Sequence, residues 1–151
     1  MAFFAYSAEE YERWRNNLNI GIETYAISFI TFVVTDKQTG RVLGECGLHT
    51  WNKKHRRAEA YYMMRSEVDM RQGIMSEAFP AILKYAFEEL NIHRVEALIA
   101  RENTPSLKLL LKNGFTFEGT MREDYYVEGQ NENSECYSLL KGEWENNQLS
   151  K

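Results

Sequence analysis

The chain has 151 residues, 44% hydrophobic and 26% charged, a composition that excludes a disordered chain and suits one globular domain with a buried core. Its longest apolar run, residues 25–34, is much shorter than the roughly eighteen residues of a membrane span, and no signal-like segment opens the chain. The net charge of −4 disfavours non-specific nucleic-acid binding and suits a cationic acceptor. We therefore expect residues 1–151 to form a single cytoplasmic domain that binds neither nucleic acid nor membrane.

Patterns in the first half of the chain predict one helix and three strands. Ser7 can cap the helix, with Glu10 three residues later as the partner in a capping box. Gly40 lies in the turn between two stretches that read as strands, so these two stretches are expected to form a hairpin. A polar, basic loop at 52–57 precedes the third strand. The predicted elements are a helix at 6–18 and strands at 25–35, 41–50 and 58–65.

The second half alternates helices with strands. Apolar residues recur at helical spacing after Met75, although Pro80 predicts either a kink or a late start near Ser76. The predicted elements are a helix from Met75 to Leu90, a strand at 93–100, a helix at 104–114, and strands at 115–122 and 135–144 joined by a polar loop at 123–134. Three meander strands followed by a strand–helix–strand crossover predict an α/β fold, with a mixed sheet and helices on both faces.

The stretch "RQGIMSEAFP" at 71–80 puts a single glycine at the start of a helix, directly after a strand-like run. Gly73 can serve simply to turn the chain. It can also let backbone N–H groups approach a phosphate, because it has no Cβ and a helix N-terminus attracts anions. Arg71 can pair with the same phosphate or remain solvated. The local sequence leaves both interpretations open.

The order of elements, together with "QGIMSEAF", "HRVEALIARENTPSLKLLLKNGFTFEG" and "CYSLLKGEW", resembles the GNAT superfamily of acetyl-CoA-dependent N-acetyltransferases. Within it, the chain is most similar to the ribosomal-protein N-terminal acetyltransferase subgroup. The resemblance runs from about residue 25 to residue 144 and is densest at 72–119. It implies a mostly antiparallel sheet whose central strands splay apart for the pantetheine arm. The subgroup also has a first strand and helix that this chain is expected to lack, which raises the prospect of a homodimer.

The resemblance implies acetyl-CoA as co-substrate, with its phosphates at the turn into the helix. Asn103 and Ser106 would bind the pantetheine and phosphate groups, although Asn103 can instead cap the following helix. A backbone N–H near Met64 or Arg65 on the third strand would stabilise the developing oxyanion. The residues expected at the phosphate turn are Arg71, Gln72, Gly73, Ile74, Met75 and Ser76.

Acetyl transfer to an amine also needs a base and an acid. Glu59 on the third strand is the first candidate base and Glu96 the second, although either can be a surface or salt-bridged carboxylate. Many GNAT enzymes have a tyrosine acid seven residues after the helix-start Asn, but Leu110 stands there in this chain. Tyr137 is the substitute that we consider, with a structural tyrosine as the equal alternative. Cys136 as an acyl-carrying nucleophile is disfavoured, because no base lies near it in sequence.

These features favour an N-acetyltransferase that acts on a primary amine, either a protein N-terminus or a small molecule, by direct attack in a ternary complex. The rival hypothesis is a non-catalytic acyl-CoA-binding domain of the same fold. No metal is expected, since the three histidines fall on different elements and the two cysteines are far apart. Both cysteines are expected to be free thiols.

Overall fold

The computed structural model of the protein describes residues 3–4 and 28–149, and the helix expected at 6–18 lies outside this part of the chain. The described strands are β1 (Phe3–Phe4), β2 (Ser28–Thr35), β3 (Val42–Asn52), β4 (Arg57–Met64), β5 (Arg94–Ala100), β6 (Thr116–Val127) and β7 (Gln130–Leu140). The described helices are α1 (Ile74–Glu88), α2 (Thr104–Lys112) and α3 (Lys141–Leu149). None of these helices is long and apolar enough to cross a membrane.

The strands form one sheet in the order β1-β2-β3-β4-β5-β7-β6. Only β4 and β5 pair in parallel, and every other neighbouring pair in the described chain is antiparallel. The expected mixed, mostly antiparallel sheet is therefore confirmed. The short β1, which pairs with β2 at the edge, was not predicted.

The parallel pair of β4 and β5 is very short. The two strands pair over only three residues each, residues 57–59 of β4 with residues 94–96 of β5. Beyond Glu59, β4 continues to pair with β3 as far as Met64, but it no longer pairs with β5. The two central strands therefore separate, as the resemblance implied, and leave a gap inside the sheet.

Helix α1 packs its apolar face into the core beside this gap. Its buried residues recur at helical spacing: Ala78, Phe79, Ile82, Leu83, Ala86 and Phe87. The ring of Phe79 meets Tyr62 edge-on at 5.2 Å between ring centroids and lies 5.9 Å from Phe115. The helix begins at Ile74 and includes Pro80, so the predicted late start near Ser76 was wrong.

The loop predicted at 123–134 was wrong, because β6 and β7 extend into it as a long hairpin. Glu128 and Gly129 make the two-residue turn, and both have positive φ, of 49° and 86°. Positive φ at both turn positions is the pattern that joins hairpin strands most directly. The strands were missed because residues 120–133 are exposed, so their side chains show no alternation between buried and exposed faces.

The strand predicted at 135–144 ends early, because Lys141 begins α3. The Glu143 carboxylate accepts a hydrogen bond from the Leu140 N–H at 2.9 Å, an arrangement typical of a helix start. Trp144 on this helix is buried and packs against Phe87 of α1, with ring centroids 5.3 Å apart. The helix is thus attached to the core through one large aromatic side chain.

We expect Trp144→Ala to lower the free energy of unfolding by about 3 kcal/mol, because it removes a buried aromatic side chain and leaves a cavity beside Phe87. Urea denaturation followed by circular dichroism measures the change. Glu145→Ala, at an exposed position on the same helix, is the control and should change stability by less than about 0.5 kcal/mol. Equal stability of the two variants would contradict the packing described for α3.

Candidate active site

A cleft of about 350 Å³ opens where β4 separates from β5, between the starts of α1 and α2. Most of the residues expected to bind acetyl-CoA line this cleft: Met64, Arg71, Gly73, Ile74, Met75, Ser76, Asn103 and Ser106. The fold therefore brings together two sequence motifs that lie about thirty residues apart in the chain.

Arg65 and Gln72 do not line this cleft. The Arg65 N–H donates to the Leu43 carbonyl oxygen at 2.9 Å, so it is engaged in the sheet and cannot be the expected oxyanion donor. The Gln72 side chain donates to the Val68 carbonyl oxygen at 2.7 Å and lies on the other side of the loop. Gln72 thus braces the loop rather than facing the cleft, and of the two predicted strand donors only Met64 faces it.

The turn into α1 presents an open helix N-terminus to the cleft. Gly73 is the N-cap residue with φ of 78°, and it provides no side chain to bond the first N–H groups. A Cβ placed on Gly73 would meet no atom within 4 Å, so the space above the turn is free. Arg71 also has positive φ, of 63°, which is uncommon for a residue with a side chain. The open amides and free space fit a phosphate group.

Asn103 caps α2, which is one of the two roles that the sequence predicted for it. Its side-chain oxygen accepts a hydrogen bond from the Ser106 N–H at 3.2 Å. The cap uses only the oxygen, so the NH₂ group is not needed for the cap, and Asn103 lines the cleft. Ser106 is itself buried and lies on the wall of the cleft.

The loop before α1 is anchored by an ion pair that the sequence did not suggest. The two terminal guanidinium nitrogens of Arg41, Nη1 and Nη2, each donate to one carboxylate oxygen of Asp69 at 2.7 Å. Asp69 ends a short 3₁₀ turn, Glu67–Asp69, just ahead of the phosphate turn. Its side chain is only 4% exposed, while that of Arg41 is 58% exposed, so Arg41 covers the carboxylate at the surface. The two residues lie 28 positions apart, so no local sequence pattern predicts that they pair.

A second cavity, of about 200 Å³, lies on the far side of the same gap. Glu59 lines it, with its carboxylate 3.6 Å from the Nε2 atom of His49. Burial raises the pKa of Glu59, and Glu96 and Asp124 raise it further, although His49 opposes the change. A carboxylate with a raised pKa in a cavity is suited to accept a proton from a bound amine.

Glu96, the second candidate base, is engaged by two arginines. Its carboxylate lies 3.3 Å from nitrogens of both Arg57 and Arg94. It does not line the second cavity, although its backbone pairs with that of Glu59. Glu59 is therefore the better placed of the two carboxylates.

Tyr137 is not brought to either cavity. It is 6% exposed, its hydroxyl donates to Glu135 at 3.2 Å, and its ring packs on Phe117. Burial, followed by this hydrogen bond, raises the pKa of Tyr137. The structural alternative for Tyr137 fits this environment better than the catalytic one.

Tyr62 lines both cavities, and sequence reasoning missed it. It follows Tyr61 in a strand-like run and carries no motif that would single it out. Asn103 and Ser106 also line both cavities, so these three residues mark where the two meet.

Both cysteines are free thiols. Cys46 is fully buried, and burial raises its pKa to about 12, so it stays protonated. Burial also raises the pKa of Cys136 on β7, which removes support for Cys136 as a nucleophile. Within residues 28–149, no group of three His, Cys, Asp or Glu side chains converges on a point that could hold a metal ion.

A family model described as an acetyltransferase (GNAT) domain matches residues 1–116 of the chain. YoaA, an uncharacterized N-acetyltransferase of Bacillus subtilis, is 33% identical over 125 residues, covering 80% of this chain and 70% of YoaA. YdaF of the same organism, provisionally named a ribosomal N-acetyltransferase, is 37% identical over 106 residues, covering 70% of this chain and 57% of YdaF. The matched region thus spans between 57% and 70% of the length of these relatives.

Solved structures agree with these matches. The spermidine N-acetyltransferase of Vibrio cholerae in complex with CoA and spermine has a TM-score of 0.72 to this chain at 24% identity. The match covers 93% of this chain and 79% of that structure. The likeness shows that the two chains share a fold.

We expect Gly73→Asp to weaken acetyl-CoA binding at least tenfold, on the order of 1.4 kcal/mol, because it puts a negative charge where phosphate should lie. Gly73→Asn is the matched control, since Asn has nearly the same shape, tolerates positive φ and carries no charge. Isothermal titration measures both affinities. Equal affinities of the two variants would show that charge at this turn does not affect acetyl-CoA binding, which would contradict a phosphate site there.

The Arg41–Asp69 pair predicts a dependence of stability on pH. Hydrogen bonds from Arg41 hold the pKa of Asp69 below that of an ordinary aspartate. The stabilisation is therefore present above about pH 4 and is lost as the pH falls through the lower folded-state pKa. Urea denaturation between about pH 6 and pH 2 should show the stability advantage of the wild type over Asp69→Asn shrinking at low pH. A constant advantage would contradict the pairing; Glu67→Gln, on the same turn, is the control.

Proposed function

This chain belongs to the GNAT acetyltransferase family, and we propose that it transfers the acetyl group of acetyl-CoA to a primary amine by direct attack in a ternary complex. The observation that carries the proposal is the meeting of two cavities at the gap between β4 and β5. One cavity ends at an open helix N-terminus and the other holds Glu59. Such an arrangement suits two substrates that react where the cavities meet.

The larger cavity is the proposed donor site. Acetyl-CoA supplies an activated acetyl thioester, and its phosphates would lie at the N-terminus of α1, where Gly73 leaves room. Arg71 on the same wall would add positive charge. The NH₂ group of Asn103 would bind the arm that runs from the phosphates toward the gap.

The smaller cavity is the proposed acceptor site. Glu59 would take the proton that the amine loses as its nitrogen attacks the thioester carbonyl carbon. An amine enters as a cation at neutral pH. The carboxylates of Glu59 and Asp124 favour such a ligand. Both lie close enough to Tyr125, which lines this cavity, to add to the rise that burial causes in the pKa of its hydroxyl. A proton-accepting group at the gap favours an enzyme over a non-catalytic acyl-CoA-binding domain.

A small amine is the acceptor class that we favour over a protein N-terminus. The cavity has a volume of only about 200 Å³, and relatives of this family include spermidine N-acetyltransferases. One such protein, from Vibrio cholerae, is 28% identical over 115 residues, covering 76% of this chain and 65% of that protein. A cytoplasmic location and a homodimer remain predictions from the sequence.

The experiment for the proposed function measures thiol release from acetyl-CoA over a panel of small amines and short peptides. Amine-dependent release, with the acetylated product identified by mass spectrometry, is the expected result. Tight binding of acetyl-CoA with no amine-dependent release would contradict the enzyme and favour the binding domain. Release with peptides but not with small amines would show that the acceptor is a protein N-terminus rather than a small amine.

We expect Glu59→Gln to lower kcat on the order of a hundredfold, because it removes the base. In the wild type, kcat should rise with pH through a pKa above that of an ordinary glutamate, since Glu59 must be ionised to accept a proton. The variant should lose this part of the pH profile. Glu96→Gln, at the paired position on β5, is the control and should lose less than about tenfold. The reverse ranking would make Glu96 the base.

A further inference from the structure

Resting on the proposed function, we propose that the hydroxyl of Tyr62 is the acid that protonates the departing thiolate. The residue comes from β4, on the stretch where this strand no longer pairs with β5. Tyr62 would take the role of the tyrosine acid that many GNAT enzymes have on the helix that corresponds to α2. At that position this chain has Leu110, which is apolar and fully buried.

The position of Tyr62 suits this role. It lines the donor cavity together with Met64, and the acceptor cavity together with Glu59. The acetyl thioester must lie where an amine in one cavity can reach a donor in the other, and Tyr62 stands at that junction. Its ring is held edge-on against Phe79 of α1, at 5.2 Å between ring centroids, so the hydroxyl is supported from the core.

The bonding of the Tyr62 hydroxyl points to a ligand. Among residues 28–149, its oxygen is the one buried side-chain polar atom that makes no hydrogen bond. A buried hydroxyl without a partner is costly, and native proteins keep very few of them unless a ligand or water completes the bond. The leaving sulfur at this junction would be such a partner.

The other hydroxyl and thiol groups nearby are less suited. Tyr137 donates to Glu135 and lines neither cavity. Ser106 lies at the junction, but an aliphatic hydroxyl is a far weaker acid than a phenol. The Ser106 side chain lowers the pKa of the Tyr62 phenol, which opposes the larger rise caused by burial, although no hydrogen bond of normal geometry joins the two hydroxyls.

The proton balance of the step is complete. The cationic amine first releases one proton to solvent water, which frees the nitrogen lone pair. The neutral nitrogen then forms a bond to the carbonyl carbon, the carbon–sulfur bond breaks with its electron pair on sulfur, and sulfur takes the Tyr62 proton. The nitrogen loses its second proton to Glu59. Water that enters with product release carries a proton from the Glu59 carboxyl group to the Tyr62 phenolate, which restores both side chains.

Burial suits Tyr62 to this exchange. It raises the pKa of Tyr62, so the phenol keeps its proton at neutral pH until a strong base forms beside it. The same surroundings raise the pKa of a thiol, which makes the departing thiolate such a base.

The test compares Tyr62→Phe with wild type on two acyl donors, acetyl-CoA and its selenoester analogue. A selenolate leaves without a proton far more readily than a thiolate. We expect Tyr62→Phe to lower kcat on the order of a hundredfold with acetyl-CoA, and much less with the selenoester. Tyr137→Phe, the matched control, should leave kcat within about threefold of wild type with both donors, since it removes a hydroxyl outside the junction.

Two measurements that do not depend on turnover separate this role from a structural one. Isothermal titration should give Tyr62→Phe an affinity for acetyl-CoA within about threefold of wild type. Its thermal midpoint should be equal or higher, because the variant removes an unpaired buried hydroxyl.

Unchanged kcat in Tyr62→Phe, or an equal loss with both donors, would overturn the assignment. If the wild type shows no amine-dependent thiol release at all, the proposed function fails, and this role fails with it. Wild-type turnover combined with an unaffected Tyr62→Phe variant would overturn the role of Tyr62 alone.

Discussion

The early end of pairing between β4 and β5 is the constraint on which the rest of the site depends. Parallel pairing covers only residues 57–59 and 94–96, whereas β3 holds β4 as far as Met64. One edge of β4 is therefore unpaired inside the sheet, although the strand is fixed along its other edge. Backbone groups on such an edge can pair with an extended ligand, and the gap lets that ligand pass between the strands. Both cavities exist because these two strands separate.

The two ends of the gap between β4 and β5 carry opposite charge. The donor end has the open N-terminus of α1 and Arg71, which together attract anions. Glu59 lines the acceptor end, and Asp124 lies close enough to act on Glu59 electrostatically, so both carboxylates favour a cation there. A polyanionic donor and a cationic acceptor, as proposed here, would thus be drawn to opposite ends. The groups proposed to move protons, Glu59 and Tyr62, lie along the wall between those ends.

Local patterns in the sequence predicted most of the elements, and the Gly73 turn and the Asn103 cap follow directly from turn and helix chemistry. The donor side of the site was expected from the resemblance to the GNAT superfamily, because the local sequence at Gly73 left two interpretations open. Local patterns missed what depends on contacts across the fold. The hairpin of β6 and β7 has no buried face to mark it, and the pairing of Arg41 with Asp69 joins distant segments. Tyr62 has an ordinary strand context, and only the separation of β4 from β5 distinguishes it from Tyr137.

The central claim is that acetyl-CoA lies in this gap with its phosphates on the N-terminus of α1. Amide NMR of the ¹⁵N-labelled protein, titrated with acetyl-CoA and separately with acetyl-pantetheine, tests it most directly. We expect acetyl-CoA to shift the amide signals of Gly73, Ile74 and Met75 strongly. Acetyl-pantetheine, which lacks the diphosphate, should shift residues along β4 instead. Shifts confined to the hairpin of β6 and β7, with the signals at 73–75 unchanged, would contradict the account.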